Sequence, residues 1–140
     1  MAKSPNRTAP SKSASGSFLL DYWRDPAGDE KNHVIVRTAE DRIQAFYNVC
    51  QHRGNRMVQC EESKVKRLVC NYHSWCYGLN GQLLIAKDSE DFHQGNPVGK
   101  ANLKELRCEV FGGLVWFNMD QEAKTLRESL GVVADQLEAY

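Results

Sequence analysis

The sequence predicts an all-β fold, a small antiparallel β body that is followed by one amphipathic helix. Short runs rich in β-branched and aromatic residues alternate with polar turns, which is the pattern of short strands. Two turn signals, Asn80-Gly81 and Gly112-Gly113, join neighbouring runs as hairpins. Near the end of the chain the apolar period changes from that of a strand to that of a helix.

Length and composition favour one ordinary globular domain. The chain has 140 residues, 41% of them hydrophobic and 26% charged, with a formal net charge of zero. The neutral balance gives no reason to expect nucleic acid or an anionic membrane as partner, and no apolar run approaches the roughly 20 residues that span a bilayer. Five cysteines without a secretory signal predict metal ligands or buried thiols in a reducing, cytoplasmic setting.

The elements follow in a simple order. Residues 1–17 are Ser-, Pro- and Lys-rich without an acidic residue, and they are predicted to form a disordered tail. The β domain is predicted over residues 18–120. Its predicted strands and hairpins cover residues 18–23, 33–36, 43–49, 67–70, 75–85 and 106–120.

Residues 121–140 are predicted to form the helix. Thr125 and Glu128 have the spacing of a capping box, which satisfies free amides at a helix start. Its apolar face is predicted to consist of Leu126, Leu130, Val133 and Leu137. Because such a face needs a surface to cover, we expect the helix to lead into a further domain that is missing from this sequence.

Two compact Cys/His pairs carry the chemistry. Cys50 and His52 form C-x-H, and after seventeen residues Cys70 and His73 form C-x-x-H. Zinc fingers also use two Cys and two His but pair like with like, so a structural zinc module is the weaker interpretation. One thiolate and one imidazole from each loop suit a cluster of two unlike irons, as in Rieske [2Fe–2S] centres.

The motifs CQHRGN and CNYHSWCYGLNGQLL resemble the Rieske domain of ring-hydroxylating oxygenases, in their large α subunits. The departures are Gln51 for the usual Pro and Ser74 for the usual Gly, and neither falls on a predicted ligand. The resemblance covers roughly residues 23–120. It implies a Rieske-type antiparallel fold with a cluster-binding lobe of two loops.

The resemblance also implies the ligand set. Cys50 and Cys70 would hold a buried iron, and His52 and His73 an exposed iron from which the electron leaves. Respiratory Rieske proteins bridge these loops with a disulfide, but the matching positions here are Asn55 and Tyr72. A free-standing Rieske ferredoxin remains an alternative, and His52-Arg53-Gly54 together with the later Tyr-His-x-Trp favours the oxygenase type.

An oxygenase of this type has a second, mononuclear iron in a C-terminal domain, which is missing from this sequence. We therefore assign no catalytic residue to the chain and expect one-electron transfer alone. The implied partners are a ferredoxin or flavin reductase as electron donor and two further copies of the full-length subunit in a homotrimer. The oxygenase would hydroxylate an aromatic or other small organic substrate.

The remaining side chains are predicted to have ordinary structural roles. Packing is predicted for Trp75 and Tyr77, and shielding of the cluster for Tyr72. Of the surplus cysteines, Cys60 is interpreted as an exposed thiol and Cys108 as a buried one. Cys76 is predicted to lie on a strand and to point away from the metal. The two remaining histidines, His33 and His93, are predicted to be polar surface groups.

Overall fold

The computed structural model describes residues 17–24, 30–38, 40–59 and 62–139. Within these ranges the strands are β1 (Ser17–Arg24), β2 (Glu30–Arg37), β3 (Ile43–Tyr47), β4 (Glu62–Lys64), β5 (Leu68–Val69), β6 (Cys76–Tyr77), β7 (Leu83–Ile85), β8 (Glu105–Phe111) and β9 (Leu114–Asn118). A 3₁₀ turn covers Ser89–Asp91, and two helices follow the strands, α1 (Leu126–Leu130) and α2 (Val132–Glu138). Cys60 and the predicted tail, apart from Ser17, lie outside the described residues.

The strands form two antiparallel sheets, which confirms the predicted fold class. The larger sheet has the order β4-β1-β2-β3-β8-β9, and the smaller one the order β5-β6-β7. The larger sheet joins segments that are distant along the chain, because Ala45 of β3 lies opposite Leu106 of β8. The two loops that carry the Cys/His pairs leave the sheets between β3 and β6.

The core lies on both faces of β2, since its side chains alternate in direction. Val34 and Val36 belong to a cluster that the larger sheet shares with the smaller one, and Ile35 belongs to a second cluster on the opposite face. The buried members of the shared cluster are Val34, Val36, Phe46, Cys50, Met57, Val58, Leu68, Cys70, Trp75, Tyr77, Leu83, Ala86 and Leu103. Both motif cysteines therefore sit in the main core.

The hairpin predicted at Asn80-Gly81 is present between β6 and β7, but its turn is longer than two residues. The N–H of Gly78 bonds the carbonyl of Gln82 at 2.8 Å, which leaves a three-residue loop. Gly81 has a positive φ of +79° and Asn80 does not, whereas a two-residue turn of type I′ would require a positive φ at both residues. The Asn80 side chain instead accepts the N–H of Gln82 at 3.1 Å and stabilises the wider loop.

Gly81 also fixes how the small sheet meets the large one. A Cβ at this position would lie 2.4 Å from Cε1 of Phe46, a buried residue of β3. Only glycine allows the turn to approach the aromatic ring this closely. The second predicted hairpin, β8 to β9 around Gly112-Gly113, is confirmed, with φ +58° and +73° at the two glycines.

The predicted C-terminal helix is present but is interrupted. Thr125 and Glu128 form the capping box as predicted, yet Gly131, with φ +55° and ψ −131°, separates α1 from α2. A single continuous helix is therefore the wrong prediction, because Gly131 leaves the helical region of backbone space. The N-terminus of α1 is held to the sheet by Glu109 of β8, whose carboxylate oxygens accept the Leu126 N–H at 3.1 Å.

The predicted apolar face divides at the same point. Leu126 is buried and Leu130 is half-buried, whereas Val133 and Leu137 are exposed. None of the helices in the described part of the chain is long and apolar enough to cross a membrane.

One predicted surface group is buried. His33 in β2 has no exposed area and packs against the rings of Tyr47 and Phe117, with centroid distances of 5.6 and 4.8 Å. The surface assignment fails because aromatic rings from two other strands, Tyr47 of β3 and Phe117 of β9, cover this histidine. His93 is exposed as predicted.

Candidate metal centre

The first Cys/His pair lies on a tight loop that follows β3, which we call loop 1 (residues 50–55). The N–H of Cys50 bonds the carbonyl of Asn55 at 2.8 Å, and the N–H of Gly54 bonds the carbonyl of Cys50 at 2.9 Å. These two bonds fold the segment back on itself, so that the Cys50 side chain points into the core while His52 is only half-buried.

The second pair lies on loop 2 (residues 70–75), which has the same backbone bonds at the same spacing. The N–H of Cys70 bonds the carbonyl of Trp75 at 2.8 Å, and the N–H of Ser74 bonds the carbonyl of Cys70 at 3.0 Å. In each loop the cysteine therefore bonds the fourth and the fifth residue after it. The two loops are local structural copies, although their sequences differ.

The fourth residue after each cysteine has a positive φ. Gly54 in loop 1 has φ +71° and Ser74 in loop 2 has φ +59°. Glycine adopts this conformation without steric cost, but a residue with a Cβ is strained there by about 1–2 kcal/mol. Ser74, the position at which the sequence departs from the usual glycine, is thus a strained point of the site.

The two cysteine sulfurs are buried beside each other. Cys50 is 1% exposed and Cys70 is 2% exposed, and the two thiols are close enough to perturb each other's pKa. Burial raises the pKa of the Cys50 thiol, against the hydrogen bonds from Tyr77 and the His52 N–H. Two thiols this close inside a core can share one metal cluster.

The Cys70 thiol behaves in the opposite way. Burial alone would raise its pKa, but hydrogen bonds from the backbone N–H groups of Tyr72 and His73 and from the Asn55 and Cys50 side chains outweigh that penalty. The pKa of Cys70 is consequently lowered, which favours the thiolate. Loop 2 is therefore prepared to hold a negative sulfur.

Tyr77 of β6 lies under the Cys50 sulfur. Its hydroxyl oxygen is 3.4 Å from Cys50 Sγ and accepts the N–H of Gln51 at 3.1 Å. The side chain is fully buried, and burial raises the pKa of Tyr77, so the hydroxyl keeps its proton at neutral pH. Because the oxygen already accepts from Gln51, its own hydrogen is available to the sulfur.

The two imidazoles lie together at the rim of the site. The ring centroids of His52 and His73 are 4.6 Å apart. His52 stacks on Trp75 at 4.7 Å with an interplanar angle of 7°, and Tyr72 packs on His73 at 3.8 Å. Phe92 contacts both His52 and Trp75, with centroid distances of 5.9 and 5.7 Å, and belongs to the same aromatic group.

One nitrogen of His52 is left for a ligand. Its Nδ1 atom is buried and has no hydrogen-bond partner among the described residues. A buried polar nitrogen without a partner is costly unless something binds it. Desolvation, followed by the neighbouring His73 and Arg53, lowers the pKa of His52 and favours the neutral ring that a metal requires.

A cleft of about 380 Å³ opens in front of the two histidines. Charged side chains of both signs line it beside the rings, namely Arg53, Lys87, Asp88 and Asp91. The imidazoles are thus the part of the site that a partner surface can approach, while the sulfurs are enclosed.

The other predicted candidates stay apart from this centre. Cys76 is buried in β6, and its sulfur lies 4.0 Å from Nη1 of Arg67. Cys108 is half-buried, and burial, followed by Glu105 and Glu109, raises its pKa to about 12. Nowhere in the described ranges do three or more His, Cys, Asp or Glu side chains converge around a single metal ion.

Three residues support the loops through polar contacts that the sequence pattern does not predict. Asn55 and Tyr77 contact the two sulfurs, and buried Asn48 holds the chain after loop 1. The Asn48 amide donates to the Val58 carbonyl at 2.7 Å and accepts the N–H groups of Met57 and Val58 at 3.0 and 2.8 Å. The only signal in the sequence was the closeness of Asn48 and Asn55 to Cys50.

The chain matches a known protein family. Residues 24–92 match the family described as the Rieske [2Fe-2S] domain. The chain is 32% identical over 130 residues to the glycine betaine monooxygenase oxygenase subunit of Pseudomonas aeruginosa, covering 91% of this chain and 28% of that relative. It is 38% identical over 108 residues to the large oxygenase component of the naphthalene 1,2-dioxygenase system of Pseudomonas fluorescens. This match covers 75% of this chain and 24% of that relative.

Solved structures give the same result. A quaternary ammonium Rieske monooxygenase in complex with L-carnitine superposes with a TM-score of 0.76 at 28% identity, over 89% of this chain and 34% of that one. Naphthalene 1,2-dioxygenase with bound indole superposes with a TM-score of 0.76 at 34% identity, over 90% of this chain and 28% of that one. The chain spans about a quarter of the length of the relatives it matches by sequence.

Proposed function

Because this chain contains a Rieske [2Fe–2S] domain of the kind found in oxygenase large subunits, we propose that it transfers single electrons to a mononuclear iron site of such an oxygenase. When bound, the cluster supplies a one-electron redox centre whose potential lies above that of all-cysteine clusters. The observation that carries the proposal is the pairing of two buried sulfurs with two rim imidazoles on matching loops.

The ligand set that we propose is Cys50 and Cys70 for one iron and His52 and His73 for the other. The donor chemistry fits, because the two thiols lie buried beside each other and Nδ1 of His52 is buried without a hydrogen-bond partner among the described residues. Among the described residues, no three His, Cys, Asp or Glu side chains are grouped so that they could hold one metal ion. A cluster in which each iron takes only two protein ligands is compatible with that arrangement. A structural zinc ion would instead require four side chains around a single point.

The residues around these four have separate tasks. Donors to the sulfurs stabilise negative charge there, and they are Tyr77 for Cys50 and Asn55 for Cys70. Trp75 and Phe92 fix the orientation of His52 and exclude water from its buried side. The cleft with mixed charges then offers the imidazole rim, the least enclosed part of the site, to a redox partner.

For the whole protein we propose an oxygenase large subunit. A further domain would hold the mononuclear iron with two histidines and a carboxylate. A ferredoxin or flavin reductase would supply electrons, and three copies would assemble so that electrons pass between neighbouring subunits. The similarity to relatives named for glycine betaine, carnitine and naphthalene supports hydroxylation of a small organic substrate. We place this oxygenase in the cytoplasm, consistent with the free thiols of the described cysteines.

The test is reconstitution of the chain with iron and sulfide. We expect a brown protein with the electron-spin-resonance signal of a reduced Rieske cluster, whereas a zinc module stays colourless. His52→Cys or His73→Cys should lower the reduction potential by on the order of hundreds of millivolts, because a thiolate adds negative charge to that iron.

The matched control is Cys76→Ala with Cys108→Ala, which removes sulfurs that we assign no ligand role and should keep both signal and potential. A cluster-bearing histidine variant with an unchanged potential would remove that histidine from the ligand set. The chain alone, given a reductase, should hydroxylate nothing.

A further inference from the structure

The fifth residue after each cysteine has a second, reciprocal role. In each loop its carbonyl accepts the N–H of its own cysteine, Asn55 for Cys50 and Trp75 for Cys70. Its side chain then crosses to the other loop. The Trp75 ring stacks on His52 of loop 1, and the Asn55 amide reaches Cys70 of loop 2.

The contacts of the Asn55 amide are specific. Its Nδ2 lies 2.8 Å from Oδ1 of Asn71, 3.7 Å from Sγ of Cys70 and 3.0 Å from the carbonyl oxygen of Arg56. Asn55 is half-buried, so its contact with the sulfur is less screened by water than a surface contact would be. Loop 1 thereby contacts both cysteines through a single residue.

We propose that Asn55 is a positioning residue of the metal centre, whose amide holds loop 2 through Asn71 and donates a hydrogen bond to the sulfur of Cys70. The proposal rests on the ligand set proposed above. A donor to a ligand sulfur stabilises the more negative, reduced state and so raises the reduction potential. Asn55 therefore sets the electron affinity of the site as well as its shape.

If Asn55 only linked the two loops, its removal would change the order of loop 2 but not the reduction potential. A variant at Asn71 distinguishes this role from a direct effect on the sulfur. Asn71 is exposed and accepts from Asn55, and within the described part of the chain its side chain makes no hydrogen bond to a sulfur. Asn71→Ala removes the link between the loops and leaves the Asn55 donor to the sulfur in place. Asn55→Leu removes both the link to Asn71 and the donor to the sulfur, because the leucine side chain has nearly the same shape as asparagine but no polar group.

The experiment compares the reconstituted parent chain with Asn55→Leu, Asn55→Asp and Asn71→Ala. Redox titration should show the equilibrium constant for reduction falling about fivefold in Asn55→Leu, which is about 40 mV at 59 mV per tenfold. Asn55→Asp keeps the size of the side chain and adds negative charge, so its potential should fall further. Asn71→Ala should leave the potential unchanged.

Hydrogen exchange of the Cys70 and Ser74 amides is measured on the same samples at matched iron content, and it reports the order of loop 2 separately from the potential. It should become faster in Asn55→Leu and in Asn71→Ala, and stay unchanged in β8 and β9. Unchanged exchange in Asn55→Leu overturns the positioning role. An unchanged potential in Asn55→Leu, or an equal fall in Asn71→Ala, overturns the role of the sulfur contact. A parent chain without the Rieske signal instead contradicts the proposed function, and the exchange data then decide the positioning role alone.

Discussion

The hydroxyl of Tyr77 should raise the reduction potential of the centre, and Tyr77→Phe removes that hydroxyl with little change in shape. The group has two contacts, the Cys50 sulfur at 3.4 Å and the Gln51 N–H at 3.1 Å. A hydrogen bond to a ligand sulfur stabilises the reduced state more than the oxidised one. If that difference is about 1 kcal/mol, the potential falls by about 40 mV, since 59 mV corresponds to a tenfold change.

The same substitution should lower the stability of the chain. The Gln51 N–H loses its acceptor, and an unsatisfied backbone donor that is not fully solvated costs about 1–2 kcal/mol. Redox titration followed by electron-spin resonance measures the first effect, and urea unfolding measures the second. Tyr47→Phe is the matched control, because that ring packs on His33. The reasoning is refuted if Tyr77→Phe keeps the parent potential, or if both variants lower it equally.

Three further predictions concern the loops, the hairpin and the surplus thiol. Ser74→Gly should raise the free energy of unfolding by about 0.5–1 kcal/mol in a urea titration, because the relief of strain exceeds the entropy cost of glycine; a loss of stability would contradict the strained φ. Gly81→Ala should lower it by about 3 kcal/mol or more, since the new Cβ meets Phe46 at 2.4 Å; a wild-type midpoint would disprove that contact. Cys108, with a pKa of about 12 against an ordinary 9, should be alkylated roughly thirty- to sixtyfold more slowly at pH 8 in the folded chain than in urea, as read by mass spectrometry, because the higher nucleophilicity of the thiolate offsets part of its lower population; equal rates would show that the thiol is not desolvated.

The sequence predicted what local chemistry determines. The spacing of Cys50, His52, Cys70 and His73 indicated a cluster site because ligand type and spacing are written in consecutive residues. The β8 to β9 hairpin and the capping box of α1 were likewise predictable, since each depends on residues within a few positions of one another.

What the sequence could not show depends on contacts between distant residues. Tyr77 was predicted to pack, and it does, but its hydroxyl meets Cys50, which lies 27 positions earlier. Asn55 reaches Cys70 only because the two loops fold side by side. His33 was misjudged because its burial is decided by Tyr47 and Phe117 from other strands. Each of these contacts involves a neighbour that the local sequence pattern does not reveal.

The distance along the chain between the two loops has a consequence for folding. Cys70 follows Cys50 by 20 positions, so a group that binds both sulfurs closes a ring of chain as a disulfide of similar span would. In the loop-entropy description, such a closure removes about 3 kcal/mol of freedom from the unfolded state, a large share of the roughly 5–15 kcal/mol that keeps a domain folded. The small sheet between and beyond the loops has strands of only two or three residues. On the proposed ligand set, iron binding and the folding of the lobe formed by the two loops and the small sheet are therefore coupled. This lobe would be the first part of the chain to unfold when iron is withdrawn.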